Sequence, residues 1–213
     1  QGVNGGANGF RIGGNGVIIA DASGNQTSYI NSFSGGSVRS LVNTSDGGFA
    51  IVTAPPSRIH RFNSVNTNVW SQNLVAQYST QSNTHPYEVQ QTPNGDLVVC
   101  GLAFMSPGSG AFFNRYQING TQLISKIHTT SSWTPLCNVH GASAYDMVQI
   151  PDGSFILAGS ADVGNPNLIG TGECYMKISA NGELDPFLPE TWLYMGNNET
   201  EDYYGIAHGI CAA

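Results

Sequence analysis

Three stretches of this sequence carry the same short text, and that recurrence constrains the fold more than any single motif. They are Thr44-Ser45-Asp46-Gly47-Gly48-Phe49-Ala50-Ile51-Val52, Thr92-Pro93-Asn94-Gly95-Asp96-Leu97-Val98-Val99-Cys100-Gly101 and Ile150-Pro151-Asp152-Gly153-Ser154-Phe155-Ile156-Leu157-Ala158-Gly159. Each reads as a tight turn followed by a strand. Asp-Gly and Asn-Gly supply the positive φ that hairpin turns demand, and the β-branched or apolar run behind them suits a buried strand. A short apolar stretch precedes each turn, at 38–42, 87–91 and 145–150, and provides the first strand of the hairpin. A third strand carrying a basic residue follows at Arg58–Phe62, Phe113–Tyr116 and Tyr175–Ile178, and Val69-Trp70 and Leu123-Ile124 mark a fourth.

Four antiparallel strands recurring at roughly 40 to 60 residues predict an all-β chain folded as a small β-propeller. The 213 residues then divide into four blades of about 53. The N-terminal text 8–14 matches the turn and second strand, and 17–24 matches the third strand and its turn, but no first strand is evident before them. A first strand is found instead at the other end, where Tyr204 to Ala213 aligns with the stretches beginning at Tyr87 and Tyr145. The expectation is a single domain over 1–213 with blades at approximately 204–213 plus 1–33, 34–76, 85–127 and 143–195, one blade being built from both termini. Such closure seals exposed strand edges. The same complementary ends permit a neighbour's blade to be completed instead, and a head-to-tail contact of that kind propagates into a filament unless its rotation closes.

Composition removes several function classes. With 7 Lys or Arg against 14 Asp or Glu, the net charge of −7 gives no basic stripe for nucleic acid and no polybasic patch for an anionic membrane. No apolar run approaches the ~20 residues of a membrane span. The start at Gln1 and the Lys-poor, polar composition are those expected of a processed extracellular chain, secreted or at a cell surface. Four cysteines, Cys100, Cys137, Cys174 and Cys211, are an even set that suits two disulfides in such a setting, with three pairings open. None lies at zinc-site spacing from another. Sequons at Asn25, Asn43, Asn119 and Asn198 are candidate glycosylation sites.

The repeat text T-S-D-G-G-F-A-I-V-T, I-P-D-G-S-F-I-L-A-G, Y-M-K-I-S-A-N-G-E-L and A-D-A-S-G-N-Q resembles secreted or cell-surface β-propeller repeats with blades of the form T-x-D-G-G-Y-I-V-A-G. That resemblance implies the fold and leaves the function open, because propellers host enzymes, lectins and scaffolds alike. The second repeat departs from the pattern at Asn63-Ser64-Val65-Asn66, where no Gly marks the turn.

The recurring basic residues Arg61, Arg115 and Lys177 are expected to serve the blades structurally rather than to form an anion site, since each falls at the same place in its repeat. Tyr87, Tyr145 and Tyr204, at the heads of first strands, are expected to pack between blades. His140 lies near Ser143 and Asp146 in sequence, but no G-x-S-x-G elbow accompanies them. His85, His140 and His208 lie near first-strand starts without metal-ligand spacing. The acidic stretch Glu199, Glu201, Asp202 reads as a solvated connection, and Asp21 to Asn25 as a turn rather than a calcium loop. No catalytic, cofactor or metal motif emerges. The long loops 73–84 and 127–142 carry Tyr78, Trp133 and His140 among Ser, Thr, Asn and Gln, the residue types that ligand recognition uses. The expected function is a non-enzymatic extracellular scaffold or surface interaction protein whose partner is itself, as a homo-oligomer or filament formed by terminal strand complementation. The alternative is a lectin binding surface glycans through inter-blade loops, and a glycoside-acting enzyme ranks third.

Overall fold

The computed structural model describes residues 2–4, 9–31, 33, 36–74, 84–105, 108–128, 141–165 and 168–184. All regular structure among them is β. The first sheet comprises β1 (Gly2–Asn4), β2 (Phe10–Gly13), β3 (Val17–Ala20) and β4 (Gln26–Ile30). The second comprises β5 (Ser37–Asn43), β6 (Phe49–Ala54), β7 (Arg58–Phe62) and β8 (Asn68–Asn73). The third comprises β9 (Thr84–Gln91), β10 (Leu97–Phe104), β11 (Ser109–Tyr116) and β12 (Gln122–His128). In the fourth, β13 (Ala142–Gln149), β14 (Phe155–Asn165) and β15 (Leu168–Ile178) are joined by an isolated bridge between Ile178 and Leu184, at the place of a fourth strand. Each sheet is ordered as the chain runs, a meander with no crossover.

The turn chemistry explains this regularity. Between first and second strands, Gly47, Gly95 and Gly153 take φ near +90°, and their N–H groups donate to the carbonyls of Thr44, Thr92 and Ile150. Between third and fourth strands the same five-residue loop recurs, with positive φ at Gly24, Gly120 and Gly182. In the second sheet Asn66 takes that place with φ 64°, which settles the connection that had no glycine to announce it. Asn tolerates the left-handed region better than other residues with a Cβ, and the Asn63 side chain accepts from the Val65 and Thr67 N–H groups to fix the loop.

The N-terminus departs from the sequence expectation. Gly2–Asn4 pairs antiparallel with β2, Gly2 opposite Ile12 and Asn4 opposite Phe10, so a first strand precedes the first sheet after all. Three residues with no hydrophobic alternation gave no sequence signal. Residues 204–213, expected in that place, lie outside the described residues.

The chain divides into two compact units. One comprises Gln1–Val75, His85–Val99 and Arg115–Leu123; the other comprises Ala76–Thr84, Cys100–Asn114 and Ile124–Ala213. In the first unit a core cluster of Val17, Ile19, Ile30, Phe33, Leu41, Phe49, Ile51 and Phe62 joins the first and second sheets. Phe49 and Phe62, cross-strand partners, stack with centroids 4.6 Å apart. In the second unit Phe113 packs on Phe155 at 5.1 Å, and the Cys100 thiol points to the Ala144 carbonyl at 3.7 Å.

Candidate interaction surface

The basic residue of each third strand turns back onto the acidic residue of its own first turn. Arg61 grips both carboxylate oxygens of Asp46, at 2.5 and 2.6 Å, and donates to the Phe49 carbonyl at 3.2 Å. Arg115 meets Asp96 at 2.8 Å, and Lys177 meets Asp152 at 3.0 Å. The sites differ by one register step, since the carboxylate sits one residue before the turn glycine in two sheets and one residue after it in the third. Long basic side chains thus cover the sheet with their stems and neutralise the turn with their heads. Burial opposes ionisation of Asp46, but hydrogen bonds from Thr44 and Gly48 together with the Arg61 charge hold it below the usual carboxylate range. Asp152 is lowered to about 2, first by the Ser154 hydroxyl and N–H and then by Lys177.

The first sheet has no basic residue at this place. Its Arg11 instead reaches the second sheet, donating to Asn43 at 2.6 Å and to the Gly47 carbonyl at 3.2 Å, with its guanidinium 5.0 Å from the Phe49 ring centroid. The cations singled out in the sequence are therefore committed to the scaffold, as their periodicity implied.

Two buried histidines were invisible to pattern reading. His60 is held between Ser71 at 2.8 Å and Thr53 at 3.5 Å, with Phe33 against its ring at 5.4 Å. Burial pushes it down to about 4, and Arg58 adds to the effect. His128 is likewise lowered to about 4 by burial, against a hydrogen bond with the Gly182 backbone. Both are neutral at physiological pH and serve as hydrogen-bonding members of the packing.

The remaining sequence candidates fall as follows. Ser143 shares a hydrogen bond with Ser160 at 2.8 Å, and Asp146 accepts from the Met147 N–H. The Tyr145 hydroxyl accepts from Ser160 at 3.4 Å. Asn25 and Asn119 are exposed in turns, whereas Asn43 is half-buried at the end of β5 and holds Arg11. Cys174 stands on β15 opposite Gly159, and no disulfide is seen among the described residues. Tyr78, Trp133, His140, Asn198, Cys137, His208 and Cys211 lie outside the described residues, as do Tyr204 and the acidic stretch 199–202. No group of three metal-ligating side chains occurs among the described residues, and no described helix is long and apolar enough to cross a membrane.

What stands out on the surface is apolar. Ile12, Ile18 and Tyr29 are successive cross-strand partners on β2, β3 and β4, forming one row across the first sheet. Ile12 is 44% exposed and Tyr29 47%, with Ile18 half-buried between them. Gly16 lies directly under the Tyr29 ring, where a Cβ would fall 2.6 Å from it, so the ring lies flat on the sheet. Scattered apolar residues are ordinary on a protein surface, but a register-aligned row is a candidate contact surface.

No family model matches the chain, and no curated protein matches it. Among solved structures, the WD40 β-propeller domain of Doa1 superposes with a TM-score of 0.53 at 15% identity, over 74% of this chain and 46% of that one. A protein of unknown function from Bacteroides caccae is also similar, with a TM-score of 0.40 at 10% identity over 82% and 75% of the two chains. The chain thus spans less than half the length of the propeller it matches. Four meander sheets of the blade type, together with that likeness, make the fold that of a small β-propeller.

Proposed function

We propose that this protein is a non-enzymatic interaction scaffold that assembles with copies of itself, of the secreted or cell-surface kind that its repeat text resembles. The observation that carries the reading is the mismatch at the head of the first sheet. There the first strand is 3 residues long, against 7 in β5 and 8 in β9 and β13. Residues 204–213, meanwhile, repeat the first-strand text of the other blades. A three-residue strand containing glycine offers few ladder bonds and little side-chain burial, so a longer matching strand from a neighbour competes well for its place. Each copy then accepts at one end and donates at the other, the arrangement that propagates.

The test is the size distribution of the purified full chain, followed by light scattering and negative-stain imaging as concentration rises. Polymers that disappear when residues 204–213 are deleted support the reading. A chain that stays monomeric at high concentration sinks it.

A further inference from the structure

We infer that the exposed row Ile12, Ile18, Tyr29 is the receiving face for a sheet of a second copy, a contact through the face of the first sheet and distinct from strand exchange at its edge. This rests on the self-assembly reading in one respect, that the partner is the same chain.

The argument comes from what the repeat does elsewhere. The positions of Ile12 and Ile18 correspond to the pairs Ile51–His60, Val99–Asn114 and Leu157–Met176 in the other three sheets. All six of those residues are buried, none being more than 6% exposed. In the second sheet the cover is supplied by the preceding sheet: Ile51 belongs to the cluster with Val17, Ile19 and Ile30, and Phe33 lies against His60. The place is therefore built to be covered by another sheet of the same repeat. In the first sheet it is occupied by two isoleucines and extended by a tyrosine, more apolar than its buried counterparts, yet no described residue of the chain covers it.

The loop between third and fourth strands supplies a separate observation. Trp70 and Gln72 of β8 lie over Gly120, with the Trp70 indole N–H donating to the Ile118 carbonyl at 2.9 Å and Gln72 to the Gly120 carbonyl at 2.5 Å. Ile124 and Lys126 of β12 lie over Gly182 in the same way. The corresponding Gly24 has nothing within 4 Å of where its Cβ would be. Row and loop are the two halves of the surface that a preceding sheet covers, and in the first sheet both are open. The occupant that fits is a sheet of this repeat presenting a fourth strand over Gly24 and a flat apolar face to Tyr29. A contact between unlike surfaces of two copies is heterologous and extends or closes a ring according to its rotation.

The test places a photo-cross-linking residue at the exposed position, Tyr29→p-benzoylphenylalanine, in an equimolar mixture of isotopically light and heavy full-length chains. Light–heavy cross-links that fall on the sheet residues 142–178 are expected, together with loss of assembly in Tyr29→Lys. Cross-links confined to one chain, or none, would overturn the proposal. If polymers persist in that case, the face contact fails while strand exchange stands. If only monomers are found at every concentration, both fall. Because Tyr29 is exposed, either substitution leaves the fold intact, which an unchanged far-ultraviolet spectrum checks.

Discussion

The clasp between Arg61 and Asp46 is asymmetric, and the asymmetry sets a quantitative expectation. The arginine side chain is 2% exposed and the aspartate 56%. Asp46→Ala therefore strands a buried guanidinium, with the Arg11 guanidinium close enough to repel it. Removing one partner of a buried ion pair in this sense costs about 3–5 kcal/mol. The same substitution also strips the turn of the acceptor used by Thr44 and Gly48. Arg61→Met leaves instead a carboxylate that water reaches, and its cost is chiefly the bond to the Phe49 carbonyl, about 1–2 kcal/mol, offset in part by an apolar chain of similar length. The double variant removes the stranded charge and is expected to be more stable than Asp46→Ala alone. Urea unfolding followed by tryptophan fluorescence gives the three values. For a chain of this size about 1 kcal/mol moves Tm by roughly 2–4 °C, so Asp46→Ala should lose close to 10 °C. Should Arg61→Met prove as costly as Asp46→Ala, or should the two costs simply add, the burial argument is wrong.

Acid should weaken the fold through its two buried histidines. With folded values near 4 and an unfolded value near 6.5, the unfolded chain takes up protons first as pH falls, so their contribution is complete above about pH 6.5 and is lost on the way down to about 4. The urea midpoint should fall between pH 7 and pH 4.5, and less steeply in His128→Gln. Asn66→Gly should hold or raise stability by up to about 1 kcal/mol, because glycine accepts positive φ and the Asn66 amide oxygen has no hydrogen-bond partner; a clear loss in thermal melting would contradict the loop reading. Gly182→Ala should cost more than Gly24→Ala, since both residues have positive φ but only at Gly182 would a Cβ press on Ile124, Lys126 and Phe113, at 3.1–3.2 Å. Equal losses of Tm in the two variants would count against that packing.

Much of this architecture was legible because its punctuation is local. Asp46-Gly47, Asn94-Gly95 and Asp152-Gly153 each state a turn on their own, and the first, second and third strands of the central blades fall where the flanking apolar runs put them. The role of Arg61, Arg115 and Lys177 was readable from periodicity, since a residue recurring with the blade answers to the blade. Other features depend on partners remote in sequence. His60 and Asn114 are fully buried polar residues in strands that read as amphipathic, and only the neighbouring sheet decides which face is covered. β1 escaped notice because three residues carry no period, and Asn66 because Asn takes positive φ without the certainty that Gly conveys. The exposed row could not be foreseen at all. Ile12, Ile18 and Tyr29 look like core residues in the sequence, and their exposure is a property of the assembled sheets.

The cluster that locks the first two sheets together draws every member from residues 17 to 62. Strand pairing within each sheet runs only between consecutive segments, so few distant encounters have to be awaited before apolar surface is withdrawn from water. A nascent chain emerging N-terminus first therefore has a self-sufficient nucleus once its first third is free, and the later sheets can be added by templating on what is already formed rather than by a search of the whole polypeptide.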